Sequence, residues 1–182
     1  MREAIGLVET ISIAVGIAIA DEMAKAADVE ILEATAICPG KYMVLITGDV
    51  SSVESSLERG IQVGGDVVVD RLFIPHVHPQ VFPAILAATD VDALEALAVV
   101  ETFTVASSIL AADAAAKAAR VRLIEIRLAK GLGGKAFFTM TGDIFEVEAA
   151  TEAALAVAKD GGNLVRSVII PRPHEDLAGK VL

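Results

Sequence analysis

The only cysteine of the chain, Cys38, lies in the sequence Cys38-Pro39-Gly40-Lys41. A cysteine thiolate is both a nucleophile and a metal ligand. A single cysteine cannot form an intrachain disulfide, so the thiol content does not indicate a secreted protein. Free cysteines are often small buried hydrophobic residues, but proline and glycine predict a tight turn here, which is poorly placed for a core. The residue types therefore single out Cys38 as a candidate metal or cofactor ligand.

The sequence around this turn occurs twice. Residues 4–34 and 96–126 are identical at 14 of 31 positions, at an offset of 92. Beyond them the offset becomes 94, so that Gly40-Lys41 recurs as Gly134-Lys135. In the second copy the turn is replaced by a longer loop that begins with Gly131-Leu132-Gly133. Because the copies diverge mainly at this loop, we infer that the loop has become specialised.

The length and the charge of the chain limit the class of protein. Its 182 residues suit two domains of about 90 residues each. We place these domains at 1–90 and 91–182, with the link between the copies at Ala87–Leu94. The net charge of −10 argues against a nucleic-acid partner, which normally meets a basic face.

The segment most like a membrane span or a targeting signal is Ile11–Ala20. It is apolar apart from Ser12, but Asp21-Glu22 ends it after ten residues, whereas a membrane helix needs about 20. A signal peptide has a basic start, unlike Arg2-Glu3, and an equivalent of the segment recurs in mid-chain. The sequence therefore predicts a core helix and a cytosolic protein without a membrane partner.

Each copy predicts the same series of strands and helices. In the first copy the predicted strands are Ala4–Thr10, Val29–Ile37, Tyr42–Thr47 and Asp66–Ile74. One helix follows the first strand and another follows the third. The order β-α-β-β-α-β predicts a split βαβ, ferredoxin-like domain of the α+β class, with two helices on an antiparallel sheet. Many functions share this fold, so the fold alone assigns none.

Spacing also predicts two details of the helices. Ser51 and Glu54 predict a capping box at the start of the second helix, with Asp143 and Glu146 in that role in the second copy. An apolar stripe at spacings of three and four predicts the face by which each first helix packs against a sheet or another subunit. Its residues are Ile13, Ile17, Ala20, Ala24 and Ala27 in the first copy, and Val105, Ile109, Ala112, Ala116 and Ala119 in the second.

Several ordered motifs resemble the shell-protein domain of bacterial microcompartments. They are Glu9-Thr10, the helix end from Asp21 to Val29, Gly40-Lys41, Gly48-Asp49, and Ile170-Pro171-Arg172-Pro173-His174. Two copies in one chain resemble the tandem-domain class of these shell proteins. That resemblance implies a homotrimer whose six domains form a pseudo-hexagonal tile with a pore on its axis. It also implies a place in a compartment shell in the bacterial cytoplasm, beside other shell proteins.

Within that class, the hexapeptide from Ile37 to Tyr42 resembles the iron–sulfur subtype known from propanediol-utilising compartments. The resemblance implies that Cys38, Pro39 and Gly40 line the pore, alternating with a second set of loop residues. That second set is Gly131, Leu132, Gly133 and Gly134. A trimer would bring three thiols to one axis, where they cannot pair into symmetric disulfides but can hold a metal centre.

We therefore expect one 4Fe–4S cluster per trimer, with Cys38 as its ligand. Such clusters are normally held by four cysteinates, so three would leave one iron for water, a small ligand or a partner residue. The expected role is electron transfer across the shell, or delivery of clusters or iron to enclosed redox enzymes. A three-thiolate zinc site, a cofactor-free pore for small metabolites, and a small-molecule sensor remain alternatives.

The resemblance also implies contacts at the edge of the tile. Lys25, Lys117 and Arg172 match the family's edge lysines and its edge arginine, whereas His76 stands at the arginine position in the first copy. Because an imidazole is shorter than a guanidinium and only partly charged near pH 7, we expect alternate edges to bind unequally.

Other chemistry is less well supported by the sequence. The glycines before Lys135 suggest a phosphate-binding loop, but Ala129 and Ala136 stand where that motif needs glycine and a hydroxyl residue. His76 and His78 lack typical helical metal spacing, and Glu9 and Glu101 recur with their neighbours as structural residues would. No set of nucleophile, base and orienting residue is visible, so we expect no enzymatic activity.

Overall fold

Each copy of the repeated sequence folds into a four-stranded antiparallel sheet with two helices. The computed structural model describes residues 3–91 and 93–181. The first copy comprises β1 (Ala4–Thr10), α1 (Ile13–Ala26), β2 (Glu30–Ile37), β3 (Lys41–Gly48), α2 (Val50–Gly64), a 3-10 turn (Gly65–Val67) and β4 (Val68–Ile74), followed by α3 (Val81–Ile85). The second copy comprises β5 (Ala96–Thr102), α4 (Val105–Ala118), β6 (Arg122–Arg127), β7 (Ala136–Gly142), α5 (Ile144–Asp160) and β8 (Leu164–Ile170), followed by α6 (Glu175–Val181).

The two sheets have the same strand order. It is β2-β3-β1-β4 in the first copy and β6-β7-β5-β8 in the second. All pairings are antiparallel, and the central strand β1 places Leu7 opposite both Leu45 and Leu72. This order leaves β2 and β6 at one edge of their sheets. The prediction of two tandem split βαβ domains of the α+β class is confirmed.

The core of the first copy lies between its sheet and its two helices. Val8, Val44 and Ile46 on the sheet pack with residues of α1 and α2 in one buried cluster. The helices approach closely at Gly60, where a methyl group would lie 2.7 Å from the Met23 sulfur. A larger residue at this position would push α2 away from α1.

The predicted stripe of α1 is only partly buried within the chain, at Ala20. Ile13 and Ile17 are exposed, whereas Gly16, Ile19 and Met23 are buried. The reason is that α1 is apolar on all sides between residues 13 and 20, so the spacing of hydrophobic residues does not select one face. In the second copy the predicted stripe is buried from Val105 to Ala116, and Ala119 is half-buried.

The predicted caps are only partly correct. Helix α2 is capped by Asp49, whose side chain accepts the Ser52 N–H at 3.0 Å, rather than by Ser51. Asp143 caps α5 as predicted, but Glu146 instead accepts the Arg120 N–H at 2.7 Å. Aspartate precedes the first helical residue in both copies, so the nearest acidic side chain takes the cap.

The chain divides into two compact units that do not follow the halves of the sequence. The first unit contains the residues up to Val77 together with Lys130–Gly134. The second contains His78–Ala129 and the residues from Lys135 onward. The sequence assigns residues 78–90 to the first domain, whereas the structure groups them with the second unit, in which α3 packs on β6 and α4. Over the described residues, no helix has the length and apolar character to cross a membrane.

Candidate functional site

The candidate ligand Cys38 lies in a hairpin between two strands of the first sheet. Ile37, the last residue of β2, pairs with Lys41, the first residue of β3. The Cys38–Pro39 peptide bond is cis, and Gly40 has a φ of 75°. The thiol is free and half-buried, while Pro39 and Gly40 are exposed. The sequence thus places its single thiol at the tip of a two-stranded hairpin, as the turn residues predict.

The second predicted loop connects β6 and β7. Gly131, Gly133 and Gly134 all have positive φ values, of 75°, 63° and 90°. Such a backbone strongly favours glycine, because other residues pay about 1–2 kcal/mol there. Gly131 and Gly133 are exposed and Leu132 is half-buried, but Gly134 is buried. The loop is therefore mostly accessible and is anchored at its last glycine.

The structure brings these two loops together. A methyl group at Gly134 would lie 2.9 Å from Pro39 Cδ and 3.0 Å from the Cys38 carbonyl oxygen. Lys130, at the start of the second loop, reaches Glu33 on β2 with an N–O distance of 3.0 Å. Consequently the Lys130–Gly134 loop belongs to the compact unit that carries Cys38, although its sequence belongs to the second copy.

Each copy also places a lysine beside a glutamate next to its loop. Lys41 Nζ lies 3.7 Å from a carboxylate oxygen of Glu9, and Lys135 Nζ lies 3.7 Å from Glu101. Glu9 is fully buried and Lys41 is half-buried, whereas the second pair is more exposed. A buried carboxylate is retained in its charged form chiefly when it is paired. These pairs involve the first residue of β3 and the residue before β7, directly after each loop.

A metal site in the described part of the chain would take three or more ligands grouped together. Among the described residues, no three His, Cys, Asp or Glu side chains are grouped so that they could hold a metal ion. His78 uses Nδ1 to accept the Gln80 N–H at 3.4 Å. A metal centre built on Cys38 would therefore need ligands beyond the residues that the structure describes.

The predicted tile-edge residues are separate from the contacts described above for the two loops. Lys25 and Lys117 pair with Asp21 and Asp113, each one helical turn earlier on the same helix. The hydrogen bond from Lys25 to Asp21, followed by the charge of that carboxylate, raises the pKa of Lys25. The remaining two edge residues, Arg172 and His76, are exposed.

Sequence reasoning missed one set of polar contacts, made by the segment after β4. His78 N–H donates to the buried Asp113 carboxylate at 2.7 Å. The side chain of Gln80 bonds to two backbone groups at the edge of β6. The available signal was that His78 and His174 occupy the same position after the last strand of each copy.

Comparison with known proteins identifies the class that this fold and these loops define. The family model for the BMC domain matches residues 4–77 and again residues 96–173. The chain therefore belongs to the BMC domain family and carries the domain twice. The resemblance to tandem-domain shell proteins of bacterial microcompartments is confirmed, and the chain is a structural shell protein of that kind.

Particular relatives match at closer range. The bacterial microcompartment shell protein PduT from Citrobacter freundii is 41% identical over 177 residues, which cover 97% of this chain and 96% of the relative. A microcompartment protein from Desulfitobacterium hafniense DCB has a crystal structure that matches with a TM-score of 0.89 and 51% identity, over 97% of this chain and 98% of that one. The shell protein EutM from Salmonella typhimurium is 44% identical over 85 residues, or 46% of this chain and 85% of the relative.

Proposed function

We propose that this shell protein forms a homotrimeric, pseudo-hexagonal tile whose central pore holds one 4Fe–4S cluster through Cys38 of each subunit. The observation that carries the proposal is the joining of the two loops. The sole thiol of the chain lies at a hairpin tip, and the glycine loop of the other copy is held against its backbone. This arrangement concentrates the divergence between the two copies at one place.

The duplication supports the trimer. A relative with a single match, EutM, spans one copy of the domain, and this chain contains two. Three chains would supply six domains, and thus a closed ring with alternating thiol and glycine loops. Most soluble homo-oligomers have closed symmetry, and contacts between two different surfaces of one chain form a ring when the rotation between subunits closes.

The donor set fits the cluster. Three Cys38 thiolates, one from each chain, suit three of the four irons of a 4Fe–4S cluster. Gly131 and Gly133 are exposed, and a methyl group at either would have no neighbour within 4 Å, so a ligand could approach this loop closely. Hydrogen bonds to cluster sulfurs from such groups tune the reduction potential. When bound, the cluster supplies one-electron transfer, or it is itself the cargo delivered across the shell.

The proposed location is the shell of a microcompartment in the bacterial cytoplasm. The partners are then two further copies of this chain, other shell proteins at the edges of the tile, and enclosed redox enzymes. Lys25, Lys117, Arg172 and His76 would meet the neighbouring tiles. PduT is named as a shell protein, and its similarity over almost the whole chain supports the same placement here.

The test is anaerobic purification of the wild-type chain, Cys38→Ser and a control, Leu132→Ser, which changes the other loop and leaves the thiol intact. We expect iron and sulfide at one cluster per trimer in the wild type and the control, with an EPR signal on reduction, and neither element in Cys38→Ser. All three proteins should be trimers by light scattering. A wild type that stays colourless after reconstitution with iron and sulfide contradicts the cluster, and zinc analysis then separates a zinc site from a cofactor-free pore.

A further inference from the structure

The segments that follow β4 and β8 have the same local structure. His78 and His174 each lie four residues after the last strand residue. In both turns the imidazole Nδ1 accepts the N–H two residues ahead, at 3.4 Å from Gln80 and 3.2 Å from Asp176. In both, the histidine carbonyl also accepts the N–H three residues ahead, at 3.0 and 2.9 Å. The two turns are therefore structural duplicates, and each one leads into a short helix.

The first of these turns closes the edge of a sheet in the second unit. Gln80 Nε2 donates to the Val121 carbonyl at 3.0 Å, and its Oε1 accepts the Leu123 N–H at 2.8 Å. The His78 N–H donates to Asp113 on α4 at 2.7 Å. An edge strand presents unpaired N–H and C=O groups that natural proteins cover. Here the side chain of Gln80 satisfies two such groups of the edge at β6.

The equivalent surface of the first copy is open. Ile31 on β2, the counterpart of Leu123, is 38% exposed, whereas Leu123 is 0% exposed. The side chain of Asp21, the counterpart of Asp113, is 58% exposed, compared with 6% for Asp113. A buried carboxylate on one helix and an exposed one at the same place on its duplicate indicate that the second lacks the covering segment.

The second turn is exposed as well. His174 and Asp176 both have exposed side chains. Helix α6 is short, and Leu177 and Val181 give it a half-buried apolar side beside the charged residues Glu175 and Lys180. The exposed turn at His174 thus has the same structure as the turn at His78, which covers the β6 edge. The equivalent edge in the first copy, at β2, is exposed.

We propose that the segment His174–Val181 of one chain docks on a second copy of this chain, at Asp21 and the β2 edge around Ile31. The His174 N–H would donate to the Asp21 carboxylate, a charge-assisted bond, and Asp176 would accept the Ile31 N–H. This inference rests on the proposed trimer and identifies the contact that closes it. Because the docking and receiving surfaces differ, the contact is head-to-tail, which builds a ring when the rotation between subunits closes, as in the proposed trimer.

The contact between chains differs from its counterpart within the chain at one residue. Asp176 stands where the first copy has Gln80, and a carboxylate accepts hydrogen bonds but donates none when ionised. Asp176 can therefore bond to the Ile31 N–H but not to the Val29 carbonyl. The interchain contact has one hydrogen bond fewer than the intrachain one.

Interchain cross-linking tests this contact. On a Cys38→Ser background, two differently tagged chains are co-expressed, one with Ile31→Cys and the other with Asp176→Cys, and oxidised mildly. We expect a disulfide-linked pair carrying both tags. In the matched control, Gln80→Cys and Leu123→Cys in one chain should give an intrachain disulfide. A second control, Asp160→Cys on α5 with Ile31→Cys, should give no product. Trimers that yield no Ile31–Asp176 product while the intrachain control oxidises would overturn the inference.

A second measurement does not depend on disulfide geometry. In a chain that ends at Pro173, hydrogen exchange in residues 29–36 should accelerate, while exchange in the covered counterpart, residues 121–128, stays unchanged. Unchanged exchange in residues 29–36 of a trimeric truncated chain would also overturn the contact. A full-length chain that is monomeric by light scattering would contradict the proposed trimer. That result can be told apart from a trimer that lacks this particular contact.

Discussion

At the scale of single residues, equivalent aspartates in the two copies cap their helices in different ways. Asp49 at the start of α2 accepts the Ser52 N–H, the Ser52 hydroxyl and the Ser51 hydroxyl at 3.0, 2.6 and 2.8 Å. The Ser52 hydroxyl contributes most, and together these bonds lower the pKa of Asp49 well below its ordinary value of 3.8. Asp143 in the second copy accepts the Phe145 N–H at 2.9 Å. The helix cap at Asp49 thus includes several hydrogen bonds, whereas the equivalent cap at Asp143 is simpler.

This difference predicts a pH effect. Because the folded state lowers the pKa of Asp49, ionised Asp49 stabilises the fold above its unfolded pKa, and this stabilisation is lost as the pH falls through the folded pKa. Asp49→Asn should therefore lower Tm at neutral pH by more than Asp143→Asn does, and its deficit should shrink in acid. Thermal unfolding of both variants across the acidic range measures this. A deficit for Asp49→Asn that does not change with pH contradicts the expectation.

At the scale of elements, the contact between the two loops depends on one glycine. Gly134 has a φ of 90° and faces the Cys38 carbonyl and the Pro39 ring. Gly133, one residue earlier, has a φ of 63°, but a methyl group added there would have no neighbour within 4 Å. The two positions therefore share the backbone requirement and differ in the steric one. This makes them a matched pair for measuring what the loop contact contributes.

Gly134→Ala should destabilise the protein more than Gly133→Ala. Both substitutions pay about 1–2 kcal/mol for the left-handed backbone, and Gly134→Ala adds about 1–3 kcal/mol for the close contact with the Cys38 turn. Denaturant titration of the two variants measures the difference in unfolding free energy. If the cluster proposal holds, Gly134→Ala should also retain less iron. Equal losses of stability would show that the contact between the loops contributes nothing.

The sequence predicts elements well where its signal is local. The turn at Pro39-Gly40 fixes the hairpin between β2 and β3, and the strand starting at Ala4 is found with the predicted bounds. It fails for the face of α1 that is buried within the chain, because every residue from Ile13 to Ala20 is apolar and the spacing selects no single face. It also gives no sign that Gly134 meets Cys38, since that contact joins positions almost a hundred residues apart and no local pattern encodes it.

At the scale of the whole molecule, the proposed tile would have two kinds of edge, because the two copies differ at one edge residue. His76 and Arg172 follow the last strand of each copy at equivalent positions, and both are exposed. An arginine fork makes up to five hydrogen bonds in fixed directions, whereas an imidazole makes at most two. A tile that carries both residues should therefore bind its neighbours tightly at alternate edges and weakly at the others.

Exchanging these two residues tests whether they set the packing of tiles. Arg172→His should raise the protein concentration at which extended sheets form by roughly tenfold, the factor that corresponds to about 1.4 kcal/mol for each contact. His76→Arg should lower that concentration, because it adds the stronger group at the other edges. Electron microscopy of purified protein across a concentration series reports the sheets, and light scattering at low concentration should show trimers in both variants. Sheets that form at the wild-type concentration in both variants would exclude these residues from the edges. A wild type that never forms sheets would instead favour a sensor over a tile, because a sensor has no reason to associate in two dimensions.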